Sequence, residues 1–279
     1  MNQPLIVEHT YNAPINVLWK ALTDKNQLKQ WYFDMLDFKP EVGCRFTFTG
    51  TDNEGVSYLH VSEVVEVVPN KKLVYTWGYD GYEGNSLVTW ELSDEKNTSK
   101  VILTHSGIET FPSIPAFAKE NFVAGWSEIL GTNLREMVET ETMKRTIPIN
   151  ATAAKVWKML TDSAVNRQWS DAFGEGVYVE ATWDEGTEVK WFAQENLLVK
   201  GIVDKCIPEE ILKVVFYDDA DQSQPDPTGE YLEMFQLNEE SGTTVLSITA
   251  GPLPIICLKD SNTMWDKAIE KMVALAENH

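Results

Sequence analysis

The chain is short of the residue types that build metal centres, disulfide frameworks and nucleic-acid surfaces. Three cysteines stand among 279 residues, Cys44, Cys206 and Cys257, far apart and without a CxxC pair. An odd, scattered set argues against disulfides and against a thiolate zinc site, and fits a reducing compartment. The four histidines, His9, His60, His105 and His279, show no HExxH or paired Cys/His spacing, so neither a metal nor a cofactor is expected. Positive charge is scarce: 23 Lys and Arg stand against 43 Asp and Glu, a net −20. That field repels phosphate backbones and anionic membrane surfaces, so no nucleic acid and no membrane is expected as partner. An apolar small molecule, or a protein with a basic surface, remains. No apolar run approaches the roughly 20 residues that span a bilayer. The opening Met1-Asn2-Gln3-Pro4 has no basic-then-apolar leader pattern, and the expected location is cytoplasmic. Phosphate-binding glycine loops and the Gly-x-Ser-x-Gly hydrolase elbow are also missing.

What is present is a repeat. Asn12-Ala13, Trp19-Lys20, Leu22-Thr23-Asp24 and Gln30-Trp31 recur as Asn150-Ala151, Trp157-Lys158, Leu160-Thr161-Asp162 and Gln168-Trp169, at one constant offset. Looser matches follow: Gly43 to Phe48 with Gly186 to Trp191, Pro69…Leu73 with Pro208…Leu212, and Trp90-Glu91-Leu92 with Phe235-Gln236-Leu237. The period is of domain size, far longer than a solenoid unit.

Within the first half, residues 5 to 11 read as a strand. Pro14 suits the start of a helix carrying Val17, Leu18, Ala21 and Leu22 on one stripe, and a second short helix follows from about Asp24 to Trp31. Strands are predicted over 45–49, 58–68, 72–77, 87–92 and 100–106, separated by turn residues. Phe122, Trp126, Ile129, Leu130, Leu134, Met137 and Val138 then recur at helical steps, predicting one helix from Pro115 to Glu139. The second half repeats this plan. The order predicts an α+β class: two tandem helix-grip domains, 1–140 and 141–279, each a curved antiparallel sheet wrapped round a long C-terminal helix, with two short helices after the first strand.

The inward faces of the first half are rich in rings. Trp31, Phe33, Phe48, Tyr58, Tyr75, Trp77, Trp90, Phe122 and Trp126 are candidates to line a cavity for an apolar or aromatic molecule, or simply to pack as core. His105 shares its face with Val101 and Leu103; it either orients a ligand, moves a proton, or is a core histidine with its hydrogen bonds made. Glu63 is either a desolvated acid or a residue of the solvent face. The acidic stretch Asp218–Glu230 reads as a solvated loop, or as a docking surface for a basic partner.

Ala13-Pro14, Trp19, Leu22-Thr23, Trp31, Gly43…Arg45-Phe46, Pro69 with Leu73-Val74-Tyr75-Thr76-Trp77, Val88-Thr89, Leu103-Thr104-His105-Ser106-Gly107 and Gly125-Trp126 together resemble the START/Bet v 1-like superfamily. Within it they resemble the branch named after the C-terminal domain of the Hsp90 ATPase activator. The second half resembles it less well, with Ile248-Thr249-Ala250-Gly251 in place of the Thr-His-Ser-Gly run and Met264-Trp265 in place of Gly-Trp. The resemblance implies the fold and a general role, which is to hold an apolar ligand, to bind a partner, or to catalyse a reaction in the cavity. It does not imply Hsp90 activation. A ligand-binding protein is the leading expectation, a protein-interaction or chaperone-associated module the second, and a cavity enzyme using His105 the third. The working pocket is expected in the first half, where Gly125 leaves room beside Trp126 that Met264 fills in the second.

Overall fold

In a computed structural model, which describes residues 3–35, 37–52, 55–96, 98–217 and 231–278, the chain divides into two compact units, Met1–Thr140 and Glu141–His279. Each unit is one antiparallel sheet closed by helices, the tandem helix-grip architecture of the α+β class. The stretch Asp218–Glu230 lies outside the described residues.

The first unit runs β1 (Leu5–Tyr11), α1 (Ile15–Thr23), α2 (Lys25–Trp31), β2 (Arg45–Thr51), β3 (Ser57–Val68), β4 (Lys72–Tyr79), β5 (Ser86–Glu95) and β6 (Thr98–Ser106). The sheet order is β1-β6-β5-β4-β3-β2, a meander closed by β1 returning beside β6. A helix then crosses the concave face: α3 (Lys119–Glu128), a π-helical turn (Ile129–Asn133) and α4 (Leu134–Val138) without a break. It begins four residues later than its apolar spacing predicts, because Pro115–Phe117 forms a separate 3-10 turn. The π turn has a local cause. The buried Tyr11 hydroxyl donates to the Leu130 carbonyl oxygen at 2.8 Å, and such insertions into the i→i−4 ladder widen a helix.

The second unit runs β7 (Thr140–Ile149), α5 (Ala153–Thr161), α6 (Ser163–Ser170), β8 (Val177–Glu180), β9 (Glu188–Ala193), β10 (Asn196–Ile207), β11 (Ile211–Phe216), β12 (Leu232–Glu240), β13 (Thr243–Pro254) and α7 (Ile255–Asn278). Its sheet order is β7-β13-β12-β11-β10-β9-β8, one edge strand more than the first.

The repeated residues do the same work twice. Asp24 accepts from the backbone N–H of Asn26 and Gln27, and Asp162 from those of Ala164 and Val165, capping the second short helix of each unit. The Trp31 indole donates to the Ala21 carbonyl oxygen at 3.0 Å, and Trp169 to that of Met159 at 3.1 Å, tying that helix to the one before. Pro14 sits at the N-cap of α1, one place earlier than expected.

Candidate functional site

Alternation along β3 to β6 sends every second side chain to the concave face. There the first unit assembles one ring network. Trp126 on α3 lies 5.4 Å from Trp77 and 5.7 Å from Trp90; Trp90 meets Trp31 at 6.4 Å. Phe48 touches Trp77, Phe33 and His60. Tyr75 accepts a hydrogen bond from the Trp90 indole at 3.0 Å. Phe122 meets His105 edge-on, and Tyr58 joins the network through Tyr79 and Phe117. All ten residues expected from the sequence are therefore brought together, and most of them pack ring on ring in the core. Tyr32 is a member the sequence reading missed, stacked on Trp126 and hydrogen-bonded to the Tyr75 hydroxyl.

His105 is fully buried, and its neighbours determine its tautomer. The Trp126 indole N–H donates to Nδ1 at 3.0 Å, so Nδ1 carries no proton. Nε2–H then donates to the Ser86 hydroxyl at 2.7 Å, and Ser86 donates in turn to the Trp77 carbonyl oxygen at 3.0 Å. Both His105 nitrogens and the Ser86 hydroxyl are thus engaged. Burial lowers the His105 pKa to about 3, and protonating Nδ1 would sever the Trp126 bond. This is the core-histidine arrangement, with no free nitrogen left for proton transfer. His60, also missed, has a similar character: it is boxed by Phe48, Trp77 and Tyr79, and burial lowers its pKa to about 4. Gly50 makes room for that ring, since a Cβ there would come within 2.8 Å of it. Glu63 faces solvent and accepts from Arg45 Nε at 2.8 Å, which settles it as a surface residue.

A cleft in this unit lies at the end of β6. Between Ser106 and Lys119 the chain makes two 3-10 turns instead of entering the helix directly. This connector and Gln3 border a cleft of about 620 Å³, walled by Ile108, Phe111, Ile114 and Phe117, with Glu109 and Lys119 among its polar groups. Of the ten expected residues only His105 borders it. Phe117 is seated on Tyr79 at 4.5 Å and on Tyr82 at 5.1 Å, which anchors the wall to the sheet.

Gly125 does not make the room that was expected of it. A Cβ there would meet nothing within 4 Å, because the residue lies on the exposed side of α3 while Trp126 points inward. The strand pairing also moves one correspondence between the halves. Val88 pairs with His105 and Glu233 pairs with Ala250, so Ala250 rather than Thr249 holds the place of His105. On the same rung, Val88 is replaced by Glu233.

Glu233 is buried in the second unit among Val214, Phe235 and Trp191. The Tyr231 hydroxyl donates to its Oε1 at 3.2 Å, and desolvation pushes its pKa up to about 7. The Trp265 indole of α7 bears on the Tyr231 hydroxyl, as Trp126 bears on His105. A signal for Glu233 existed in the sequence: it has the same strand parity as Phe235 and Leu237.

A family model described as activator of Hsp90 ATPase homolog 1-like protein matches residues 12–139 and again residues 150–277. The chain belongs to this family, in two tandem copies. Among solved structures, a Mesorhizobium loti protein is 27% identical over 48% of this chain and 96% of its own, with a TM-score of 0.40. A Bacillus halodurans protein is 26% identical over 50% of this chain and 98% of its own, with a TM-score of 0.41. A protein of the dynemicin biosynthetic locus is 15% identical over 100% of this chain and 99% of its own, with a TM-score of 0.41. No curated protein matches the chain. For this tandem member of the Hsp90-activator-homologue family, the two candidate positions are thus the cleft beside His105 and the carboxyl of Glu233. Among its described residues no helix is long and apolar enough to cross a membrane.

Proposed function

We propose that the first domain binds a small apolar or aromatic molecule in the cleft beside its β6–α3 connector, and that the chain works as a binding protein. The observation that carries this reading is the connector itself. It adds two turns between strand and helix and opens about 620 Å³ against the ring network, within the roughly 300–1,000 Å³ usual for small-molecule pockets. The second domain has no such connector, since β13 ends at Pro254 and α7 begins at Ile255. A ligand here rests on Phe111, Phe117, Ile108 and Ile114 and reaches His105 at the depth of the cleft. It meets His105 as an apolar edge, because both ring nitrogens are engaged. The rings deeper in the domain then act as the rigid wall behind the site rather than as its lining.

Titration of the full chain with Nile red tests this. One saturable site is expected, with a blue-shifted emission. Ser113→Trp places a large ring in the exposed part of the cleft and is expected to weaken binding at least about tenfold, equivalent to ~1.4 kcal/mol. Binding that does not saturate, or that is unaffected by Ser113→Trp, overturns the reading.

A further inference from the structure

The two sheets end differently at matching places. In the second domain β9 is covered by one strand more, β8, which pairs antiparallel with it from Glu180↔Lys190 to Val177↔Ala193. In the first domain the corresponding strand, β2, is the last of its sheet. The segment leading into it, 32–44, forms no strand among its described residues, and its Phe38 packs edge-on against Phe46 at 5.1 Å. β2 pairs with β3 in unbroken register from Arg45↔Glu63 to Thr51↔Ser57. The direction of its backbone groups follows from its flanks. The Cys44 carbonyl oxygen accepts from the Val64 N–H at 2.9 Å, and the Asp52 N–H donates to the Val56 carbonyl oxygen at 2.9 Å. Alternation then turns the backbone groups of Phe46, Phe48 and Gly50 toward β3, and those of Thr47, Thr49 and Thr51 outward. Among the described residues nothing bonds these outward groups, and all three threonines are exposed. Sheet edges are normally blunted by charge, proline, a bulge or brevity. β7 carries Lys144, Arg145 and Pro148, β8 is four residues long, and β1 carries Glu8. β2 has seven residues, no proline, and a charge only at its first position, Arg45. Thr47 stands where the second domain has Lys190.

We propose that the β2 edge of the first domain is an interface between two copies of this chain, in which two β2 strands pair antiparallel across a two-fold axis. A row of unpaired backbone groups is a template for another strand. β8 on β9 is the same addition made within one chain, and it too is antiparallel. Charge selects a second copy as the occupant. The chain carries −20, so two copies meet with least repulsion where acidic side chains are absent, and Arg45–Thr51 holds none. A two-fold centred on Phe48 sets Thr47 of one copy opposite Thr49 of the other, and Arg45 opposite Thr51. No like charges then face each other, and threonine pairs are favourable cross-strand neighbours. The contact is isologous, so each copy satisfies the other's outward N–H and C=O groups with the same residues.

The test is sedimentation equilibrium of the full chain over a range of concentrations, joined to amide hydrogen exchange at Thr47 and Thr49. Wild type is expected to dimerise, and both amides to exchange at least about tenfold more slowly in the dimer than in the monomer. Thr47→Pro removes one outward N–H without touching the β2–β3 ladder, and Thr49→Lys adds the kind of charge that protects other edges. Each is expected to weaken the dimer at least about tenfold. Thr49→Val keeps the backbone groups and a β-branched side chain, and is expected to leave the dimer intact. A wild-type chain that stays monomeric overturns the proposal; slow Thr47 and Thr49 amides in that monomer would show another segment of the same chain on the edge. A dimer in which these amides stay unprotected overturns it too, as does a dimer unmoved by Thr49→Lys. Should either variant fail to fold, the wild-type exchange data decide.

Discussion

The two domains share a frame and differ in what they place on one rung of it. In the first, the rung pairs Val88 with His105; in the second, Glu233 with Ala250. On that rung each domain therefore buries one titratable group, on neighbouring strands and of opposite kind. In the first, the tryptophan of the closing helix bonds that group directly; in the second it acts through Tyr231. In the first domain Trp126, His105 and Ser86 form a closed hydrogen-bond chain, and a cleft opens out at the connector. The second has no such connector, and its cleft of about 880 Å³ lies instead by the β10–β11 turn, around Pro208, Glu210 and Gln236. Among the described residues each domain leaves one indole N–H buried without a partner, that of Trp77 in the first and of Trp191 in the second. The lesson is that the two copies keep the same caps and helix ties and differ in the polar groups their cores have to satisfy.

The largest expected effect separates the two helix tryptophans. Trp126→Ala removes a ring packed on Trp77, Trp90 and Tyr32, a change that costs about 3–5 kcal/mol. It also leaves His105 Nδ1 buried and unpaired. Trp265→Ala removes a ring packed on Phe173 and Phe235, but Tyr231 keeps its bond to Glu233. Trp126→Ala is therefore expected to cost its domain about 1–3 kcal/mol more than Trp265→Ala costs the other. Urea unfolding followed through indole signals of each domain measures both. Equal costs, or the reverse order, would falsify the closed-chain account of His105.

The next effect is a pair of opposite pH trends. His105 is held neutral, with its pKa lowered by burial from 6.5 to about 3. Between those values the unfolded chain binds a proton that the folded domain refuses, so the first domain loses stability as pH falls below 6.5. His60, lowered to about 4 by the same cause, adds in the same sense. Glu233 is raised by burial from 4.5 to about 7. Between those values the folded domain keeps a proton that the unfolded chain has released, so the second domain loses stability as pH rises. From pH 4.5 to 6.5 the two contributions run in opposite directions, by up to ~2 kcal/mol each at roughly 1.4 kcal/mol per pH unit. Glu233→Gln is expected to flatten the second trend and to leave the first untouched. An unchanged second-domain midpoint across that window in Glu233→Gln and wild type alike would show that the Glu233 carboxyl is not desolvated as described.

Much of this comparison is legible in the residues. The ungapped run from Asn12 to Trp31 and its copy announced the duplication, and they repeat because Asp24 and Asp162 cap, and Trp31 and Trp169 tie, the same two helices. The ring set was legible from strand alternation. Its use was not: periodicity says which side chains share a face, while whether rings on that face enclose space depends on packing across the sheet. Glu233 was obscured by its surroundings. It follows a long acidic stretch, so its charge reads as more of the same solvated loop, although its parity with Phe235 places it inside. The cleft was hidden because Phe122, Trp126 and Leu130 set the helical period, and that period extends on paper back to Pro115, whereas Pro115–Phe117 makes its own turn.

The smallest effect sharpens a difference that the sequence suggested and the packing removes. Gly125 and Met264 precede the equivalent tryptophans, and a side chain at Gly125 was expected to fill the first domain's pocket. The residue instead faces outward, with nothing within 4 Å of where a Cβ would stand. Its backbone is ordinary right-handed helix inside α3, so a side chain there meets neither strain nor a neighbour. What remains is the conformational freedom glycine loses on folding, worth about 0.5–1 kcal/mol in a helix interior. Gly125→Ala is therefore expected to stabilise the first domain by up to about that amount, and to leave Nile red binding unchanged. Gly125→Met is expected to do nearly the same, since methionine is almost as good a helix former. A loss of dye binding in either variant would mean that α3 sits closer to the sheet, and its exposed face closer to the ligand, than the arrangement of Trp126, His105 and the connector allows.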